Sequence, residues 1–357
     1  MSEKHIFKRV AIVDGKPQLL ELTPWQKERK LRYREAIDVA HRSQVANPPM
    51  SNYFVKSSIG LNYGESLPAG NFEYGLCAAI HGEECCIAVL RSRYGKKLED
   101  PAFKPYVLAF AAQRGPLRVE DFPENIPSCC GNCRDILFEN FGKDLEIVDG
   151  HPDGGLIMIL PMSLCLVDEF EQLWPPHTSG IMDGMFMEKI LDTIELGNRY
   201  VYDHYSPDNA FVERRYYARI VTKNGDYVGA HDIGDDYHPV YAIRNAVIAA
   251  RRANDPFVQQ VFVVNSDGNK PHVMYRDRQA LAELNYQAEA ITGASKDPLV
   301  CLVAYNQQDC WRSAAWLTSV KSWLPFWFGP HKFGKEFEDW YQQRVREHFE
   351  RNQKALR

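Results

Sequence analysis

The sequence predicts a mixed α/β fold built in layers and present twice. Three observations predict it. Segments with helical spacing of apolar residues alternate with short continuous apolar runs such as "PYVLAFAAQ" and "LIMILP", which suit buried strands. The order of these segments in the first half is helix, strand, strand, helix, strand, helix, strand. That order returns after roughly 160 residues, a period that signals a duplicated domain rather than a solenoid. Each half also carries a hairpin signal, with Asn62 and Gly64 at the turn of the first and Asn224-Gly225 at the turn of the second.

Taken in order, residues 24 to 45 predict a helix that Thr23 caps, with Pro24 in its first turn. "SNYFVKSSIGLNYGESLPAGNF" predicts a hairpin, and "GLCAAIHGEECCIAVLRSRYG" a helix that Gly95 stops. "PYVLAFAAQ" is a buried strand and "CGNCRDILFENFG" a helix beginning at its cysteines. "LIMILP" is a further strand, and "DEFEQLWPP" closes the unit. The second half gives a helix ("FMEKILDTIELGNRYVYDHY"), the Asn224-Gly225 hairpin and a helix ("YHPVYAIRNAVIAARRAND"). A strand ("VQQVFVVNSDG"), a helix ("RDRQALAELN") and a strand ("PLVCLVAYN") follow. "SWLPFWFGPHKFG" closes that unit, with Trp323, Trp327 and Phe328 expected at an interface or in the core, and a charged helix ends the chain. Pro and Gly cluster in "PPHTSGIMDG", so the domains are expected to span 1–178 and 179–357.

The 357 residues are 45% hydrophobic and 25% charged, a globular composition long enough for two domains. A net charge of −5 without a basic belt argues against nucleic acid as a partner. No apolar window is long enough to predict a membrane span, and the N-terminus has no signal-peptide pattern. Nine cysteines, with Cys85-Cys86 and Cys129-Cys130 adjacent, argue against a disulfide framework and make a reducing cytoplasm the expected setting. Cys77, Cys85 and Cys86 are expected to be small core residues of their helix.

The chemistry concentrates in two short stretches. His81-Gly82-Glu83 stands at one helix start and Cys130-x-x-Cys133 at another. An imidazole and two thiolates suit Zn²⁺, and only three protein ligands leave a fourth position open. Helix N-termini favour thiolates. Glu83 follows His81 too closely to share its metal comfortably, but it can serve as general acid and base beside it. A structural zinc, with Cys129 as rival fourth ligand, or no metal at all, is the plainer alternative. Arg134 either tunes the thiolates or is an ordinary helix residue.

H-x-E followed by C-x-x-C is the zinc deaminase pattern, and the sequence resembles the cytidine deaminase family. Gly70-Asn71-Phe72-Glu73 resembles the family's G-x-N-x-E, "NYFVKSSIGL" its first strand, and Cys130-Gly131-x-Cys133-Arg134 its P-C-G-x-C-R-Q. "WLPFWFGPHKF" resembles the segment that follows a deaminase core. The resemblance implies a three-layer α/β/α cytidine-deaminase-like fold with a mixed sheet, duplicated as in the two-domain dimeric branch, in which only the N-terminal copy keeps zinc. It implies a zinc-dependent hydrolase that deaminates a cytidine-like pyrimidine nucleoside. Glu83 is then catalytic, His81, Cys130 and Cys133 the zinc ligands, and Asn71 and Glu73 hold the ribose hydroxyls. Phe54 is either a stacking wall for the base or a core aromatic of its strand. A homodimer is implied, with the pocket closed across domain or subunit contacts.

In the second copy Arg244 is expected opposite His81, Ala246 opposite Glu83, Met274 opposite Cys130 and Asp277 opposite Cys133, a set that cannot bind zinc. Cys129 replaces the family's proline and Asp135 its glutamine. Lys56-Ser57-Ser58 replaces Gly-Ala-Ala, and "RGPLRVEDFPENIPS" lengthens the loop before the cysteines. The last two departures keep a second substrate open, a modified aminopyrimidine nucleoside or another heterocyclic amine of a specialised pathway. Polynucleotide editing and a non-catalytic binding role are the remaining alternatives.

Overall fold

The computed structural model describes residues 5–43, 54–75, 78–111, 115–123, 126–165, 184–204, 212–232, 241–271, 273–306, 314–324, 329–333 and 335–355. The chain divides into two compact units, Met1–Val167 and Asp168–Arg357. The boundary expected at residue 178 lies outside the described residues, as do "DEFEQLWPP" and the Pro/Gly cluster.

The first unit is a seven-stranded mixed sheet. Its strands are β1 (His5–Val13), β2 (Lys16–Leu20), β3 (Lys56–Leu61), β4 (Ser66–Gly70), β7 (Pro105–Ala111), β8 (Glu146–His151) and β9 (Gly154–Pro161). They lie in the order β2-β1-β9-β8-β7-β3-β4. A small hairpin, β5 (Phe72–Gly75) and β6 (Ala78–Ile80), stands apart from the sheet. Neighbouring residues of a strand face opposite sides of its sheet, and β3 shows what covers each. Ser58 donates its hydroxyl to Ala36 O at 2.6 Å on helix α2 (Lys30–Arg42). Ser57 meets Cys86 on helix α3 (Gly82–Tyr94). Helices therefore cover both faces. Tyr33 and Ile37 pack with Val107, Val148 and Ile157 on the α2 side.

The second unit repeats this plan. Its sheet runs β11 (Asp226–Asp232), β10 (Val212–Thr222), β12 (Val258–Asn265), β13 (Leu299–Ala304), β14 (Ala314–Ser319). The matching run in the first unit is β4-β3-β7-β8-β9. At every pairing the sense agrees: antiparallel, antiparallel, parallel, antiparallel. Helix α5 (Gly184–His204) lies on one face, where Ile190 and Ile194 pack with Tyr217, Ala230 and Phe262. Helix α6 (Ala242–Arg252) lies on the other, so close that a Cβ on Gly229 would stand 2.2 Å from Ala242 O. The fold is α/β with mixed sheets, duplicated. No helix among the described residues is long and apolar enough to cross a membrane.

Strand directions place the helix starts. β4 and β7 flank β3 and are both antiparallel to it, so they run the same way. Helix α3 follows β4 through the small hairpin, and helix α4 (Gly131–Phe141) follows β7. Both begin at the same edge of the sheet.

Two local expectations are corrected. The helix from residue 24 is two pieces, α1 (Pro24–Glu28) and α2, broken at Arg29. Its start is as expected: Thr23 accepts from Gln26 N–H and the Gln26 side chain accepts from Thr23 N–H. The helix expected from residue 75 begins only at Gly82, because Ala78–Ile80 pair with the preceding strand. β1, β2, β8 and β14 were not anticipated. In the lengthened loop, Leu117 bridges to Leu156, and a Cβ on Gly155 would stand 2.5 Å from Leu117 O.

Candidate metal centre

His81 is the N-cap of α3 and Cys130 the N-cap of α4, both with extended backbone (φ −75°, ψ 157° and φ −66°, ψ 166°). Cys133 follows one turn into α4, on the face that Cys130 begins. His81 Nδ1 lies 3.2 Å from Cys130 Sγ and 3.3 Å from Cys133 Sγ. One ligand atom from each of the three falls within 4.8 Å of the others, the one such group among the described residues. Tetrahedral Zn²⁺, with Zn–N near 2.0 Å and Zn–S near 2.3 Å, places its nitrogen and sulfur ligands about 3.5 Å apart. The donor set and its spacing fit that ion.

The three groups shift one another's proton affinity. Cys130 is held well below the ordinary thiol value, chiefly by its hydrogen bond with Cys133 and then by His81. Burial pushes Cys133 well above it. The hydrogen bond with Cys130 raises His81 to about 9. Glu83 occupies the second position of α3 and is only 7% exposed. Burial pushes its carboxyl up, the charge of Cys130 adds to that, and His81 and a hydrogen bond with Cys129 pull against it. Cys129 is therefore buried beside the carboxylate, a contact its proline position in the resemblance did not suggest.

Gly82, between His81 and Glu83, has a packing reason to be glycine. A Cβ there would stand 2.7 Å from Ser57 Oγ and 3.1 Å from Val55 Cγ1. Ser57 is fully buried and donates to Ala69 O at 3.2 Å, so its hydroxyl is tied to the sheet. Replacing Gly82 by Ala gains at most ~1 kcal/mol of helix propensity against ~1–3 kcal/mol of overpacking. The expected result is a lower melting temperature and weaker zinc retention, with partial recovery in Gly82→Ala/Ser57→Ala, which removes the closest clash. Melting curves and zinc titrations of the three proteins check this.

The other expected site residues are brought only partly together. Asn71 is buried, accepts Val55 N–H at 2.9 Å through Oδ1, and donates its own N–H to Val55 O at 3.1 Å. It thus pins the chain just before β3, where Phe54 lies half-buried. Val55 in turn touches the Gly82 position, which ties this segment to the start of α3. Glu73 pairs through its backbone with Ala79, and its side chain lies outside the described residues. Ser57 and Ser58 donate their hydroxyls to backbone carbonyls of the fold, Ala69 O and Ala36 O. Cys86 is buried against Ser57 and Cys85 is half-buried, whereas Cys77 lies outside the described residues.

Arg134 is fully buried. It donates from Nε to Cys129 O at 2.9 Å and from a terminal nitrogen to Cys165 O at 3.2 Å. It braces the segment that delivers both thiols and does not contact them through any of these bonds. Glu84 is a site residue the sequence reading missed. Its Oε2 accepts His81 N–H at 2.7 Å and its Oε1 accepts an Asn132 amide N–H at 2.9 Å. A glutamate three positions after an N-cap is a signal that could have marked it.

The second unit aligns on its caps. Met274 is the N-cap of helix α7 (Tyr275–Thr292), with φ −62° and ψ 146°, so it stands where Cys130 does. Asp277 then matches Cys133, and Arg278 matches Arg134 down to its bond, Nε to Val273 O at 3.0 Å. The other pair is corrected. The N-cap of α6 is Tyr241, φ −81° and ψ 160°. Tyr241 therefore stands opposite His81 and Ile243 opposite Glu83, in place of Arg244 and Ala246. Tyr, Ile, Met and Asp reproduce neither the His-Cys-Cys set nor its carboxylate. Trp323 is buried, its ring 5.1 Å from the Arg278 guanidinium, whereas Trp327 and Phe328 lie outside the described residues.

No family model matches the chain, and no curated protein matches it. Among solved structures it is similar to cytidine deaminase from Mycobacterium leprae, at 21% identity over 43% of this chain and 99% of that one, with a TM-score of 0.26. It is similar to cytidine deaminase from Burkholderia pseudomallei at 18% identity, over 41% and 98% of the two chains, with a TM-score of 0.27. For cytidine deaminase from Mycobacterium tuberculosis the values are 20%, 43%, 96% and 0.25.

Proposed function

We propose that the protein is a zinc-dependent aminohydrolase that converts a cytidine-like pyrimidine nucleoside and water into the uridine-like nucleoside and ammonia. The observation that carries this reading is the meeting of His81, Cys130 and Cys133 at two helix starts, with a buried carboxylate, Glu83, beside them. When bound, Zn²⁺ supplies a Lewis acid and lowers the pKa of water toward ~7. His81, Cys130 and Cys133 hold it there. Glu83 carries one proton from the attacking water to the ring nitrogen beside the amidine carbon, where it stays, and then carries the proton of the hydroxyl left on that carbon to the departing amino group. The carbon–nitrogen bond breaks as the carbon–oxygen bond completes, so one water enters and one ammonia leaves. Burial favours the protonated carboxyl, which suits a group that must hold that proton between steps.

Asn71 and Glu73 are assigned to the sugar hydroxyls and Phe54 to the face of the base. In this reading residues 1–178 are the catalytic domain and 179–357 a degenerate copy that serves as scaffold, in a homodimer. Incubation with cytidine, deoxycytidine and a panel of modified aminopyrimidine nucleosides, followed by ultraviolet absorbance and ammonia release, tests it. Stoichiometric ammonia from cytidine or deoxycytidine is expected. Turnover of a modified nucleoside alone moves the substrate, and no ammonia from any of them by zinc-replete protein contradicts the reading.

A further inference from the structure

The two ligand-bearing helices belong to different parts of the chain, and Glu84 joins them. It sits in the first turn of α3, one residue after Glu83. One of its carboxylate oxygens accepts the backbone N–H of His81, and the other accepts the amide of Asn132, which lies between Cys130 and Cys133. A single carboxylate is thus bonded at once to the backbone of the nitrogen ligand and to the turn that carries both sulfur ligands. The same two helices are joined a second time, about two turns further on, where Arg91 donates to Asn140 Oδ1 at 3.1 and 2.6 Å. That second tie holds the helices together without touching a ligand residue.

We propose that Glu84, with Asn132, is a positioning bridge that sets the spacing of His81 from Cys130 and Cys133 and so governs how tightly the metal is retained, whereas the Arg91–Asn140 tie only holds the helices together. The proposal rests on the metal reading above and deepens it. A carboxylate bridging two helix starts fixes the distance between them through two charge-assisted bonds, and partners that orient metal ligands commonly control affinity. Glu84 does not contact the substrate or the reacting atoms in this assignment.

The test is the zinc dissociation constant of the full chain, measured with zinc alone in competition with a chelator of known affinity. Glu84→Ala and Asn132→Ala are each expected to weaken zinc by about 10- to 100-fold, and the double variant by little more than either alone, because they remove one interaction. Glu84→Gln is expected to stay within ~3-fold of wild type, since its amide oxygen accepts the His81 N–H and its amide N–H donates to the carbonyl oxygen of a rotated Asn132 amide. Arg91→Ala lowers the unfolding midpoint and leaves zinc affinity unchanged. Asn132→Ala stands in if Glu84→Ala does not fold. Zinc affinity within ~3-fold of wild type in both alanine variants overturns the bridge, as does an equal loss in Arg91→Ala, which would make the effect one of general packing. A wild-type chain that binds no zinc overturns instead the metal reading on which the bridge rests.

Discussion

Glu83→Gln retains one zinc per chain and loses turnover by about 10²–10⁴-fold. Glutamine matches glutamate in shape, so the packing of α3 and the three ligands beside it are preserved. What it cannot do is take up and release a proton. The carboxyl is buried, close to Cys130 and bonded with Cys129, so bulk water is poorly placed to substitute for it. Zinc content and kcat measured on the same preparation separate the two effects. Near-wild-type kcat with full zinc would remove Glu83 from the proton path, and loss of zinc would make it a structural support of the ligands.

Arg134→Met destabilises the first unit by about 3 kcal/mol. The guanidinium is fully buried and holds the carbonyls of Cys129 and Cys165. Removing it leaves two buried acceptors without those donors, at roughly 1–3 kcal/mol each, partly offset by losing a buried charge. Methionine keeps most of the volume, so a cavity contributes little. Hydrogen exchange localises the effect. Faster exchange is expected over residues 131–141 and unchanged exchange over 275–292, where Arg278 keeps its own bond to Val273 O. Slow, unaltered exchange in 131–141 would show that the brace is dispensable.

The duplication was legible because local chemistry marked it. Thr23-Pro24 capped a helix start, Asn224-Gly225 turned a hairpin, and apolar runs such as 105–111 gave buried strands. β1 and β2 were missed although Asp14 and Gly15, both at positive φ, turn between them; a hairpin signal was present in "VDGK". β8 and β14 mix polar and apolar residues over six positions, and neither length nor period separates them from loop.

The His81-Gly82-Glu83 and Cys130-x-x-Cys133 pair was legible as a set of ligand types at helix starts. The partners of those residues were not, because they depend on contacts between distant parts of the chain. Glu84 meets Asn132 across 48 residues, and Cys129 meets Glu83 only once both helices are placed. Residue likeness put Arg244 opposite His81, three positions late, because small apolar residues align in several helical registers. The backbone turn at Tyr241 fixes the register instead.

The most direct test of the metal centre is zinc K-edge X-ray absorption on the purified full chain. One nitrogen at about 2.0 Å, two sulfurs at about 2.3 Å and one further light ligand are expected. Three or four sulfurs would bring Cys129 into the shell and make the site structural, and a shell without sulfur would contradict the assignment of Cys130 and Cys133 altogether.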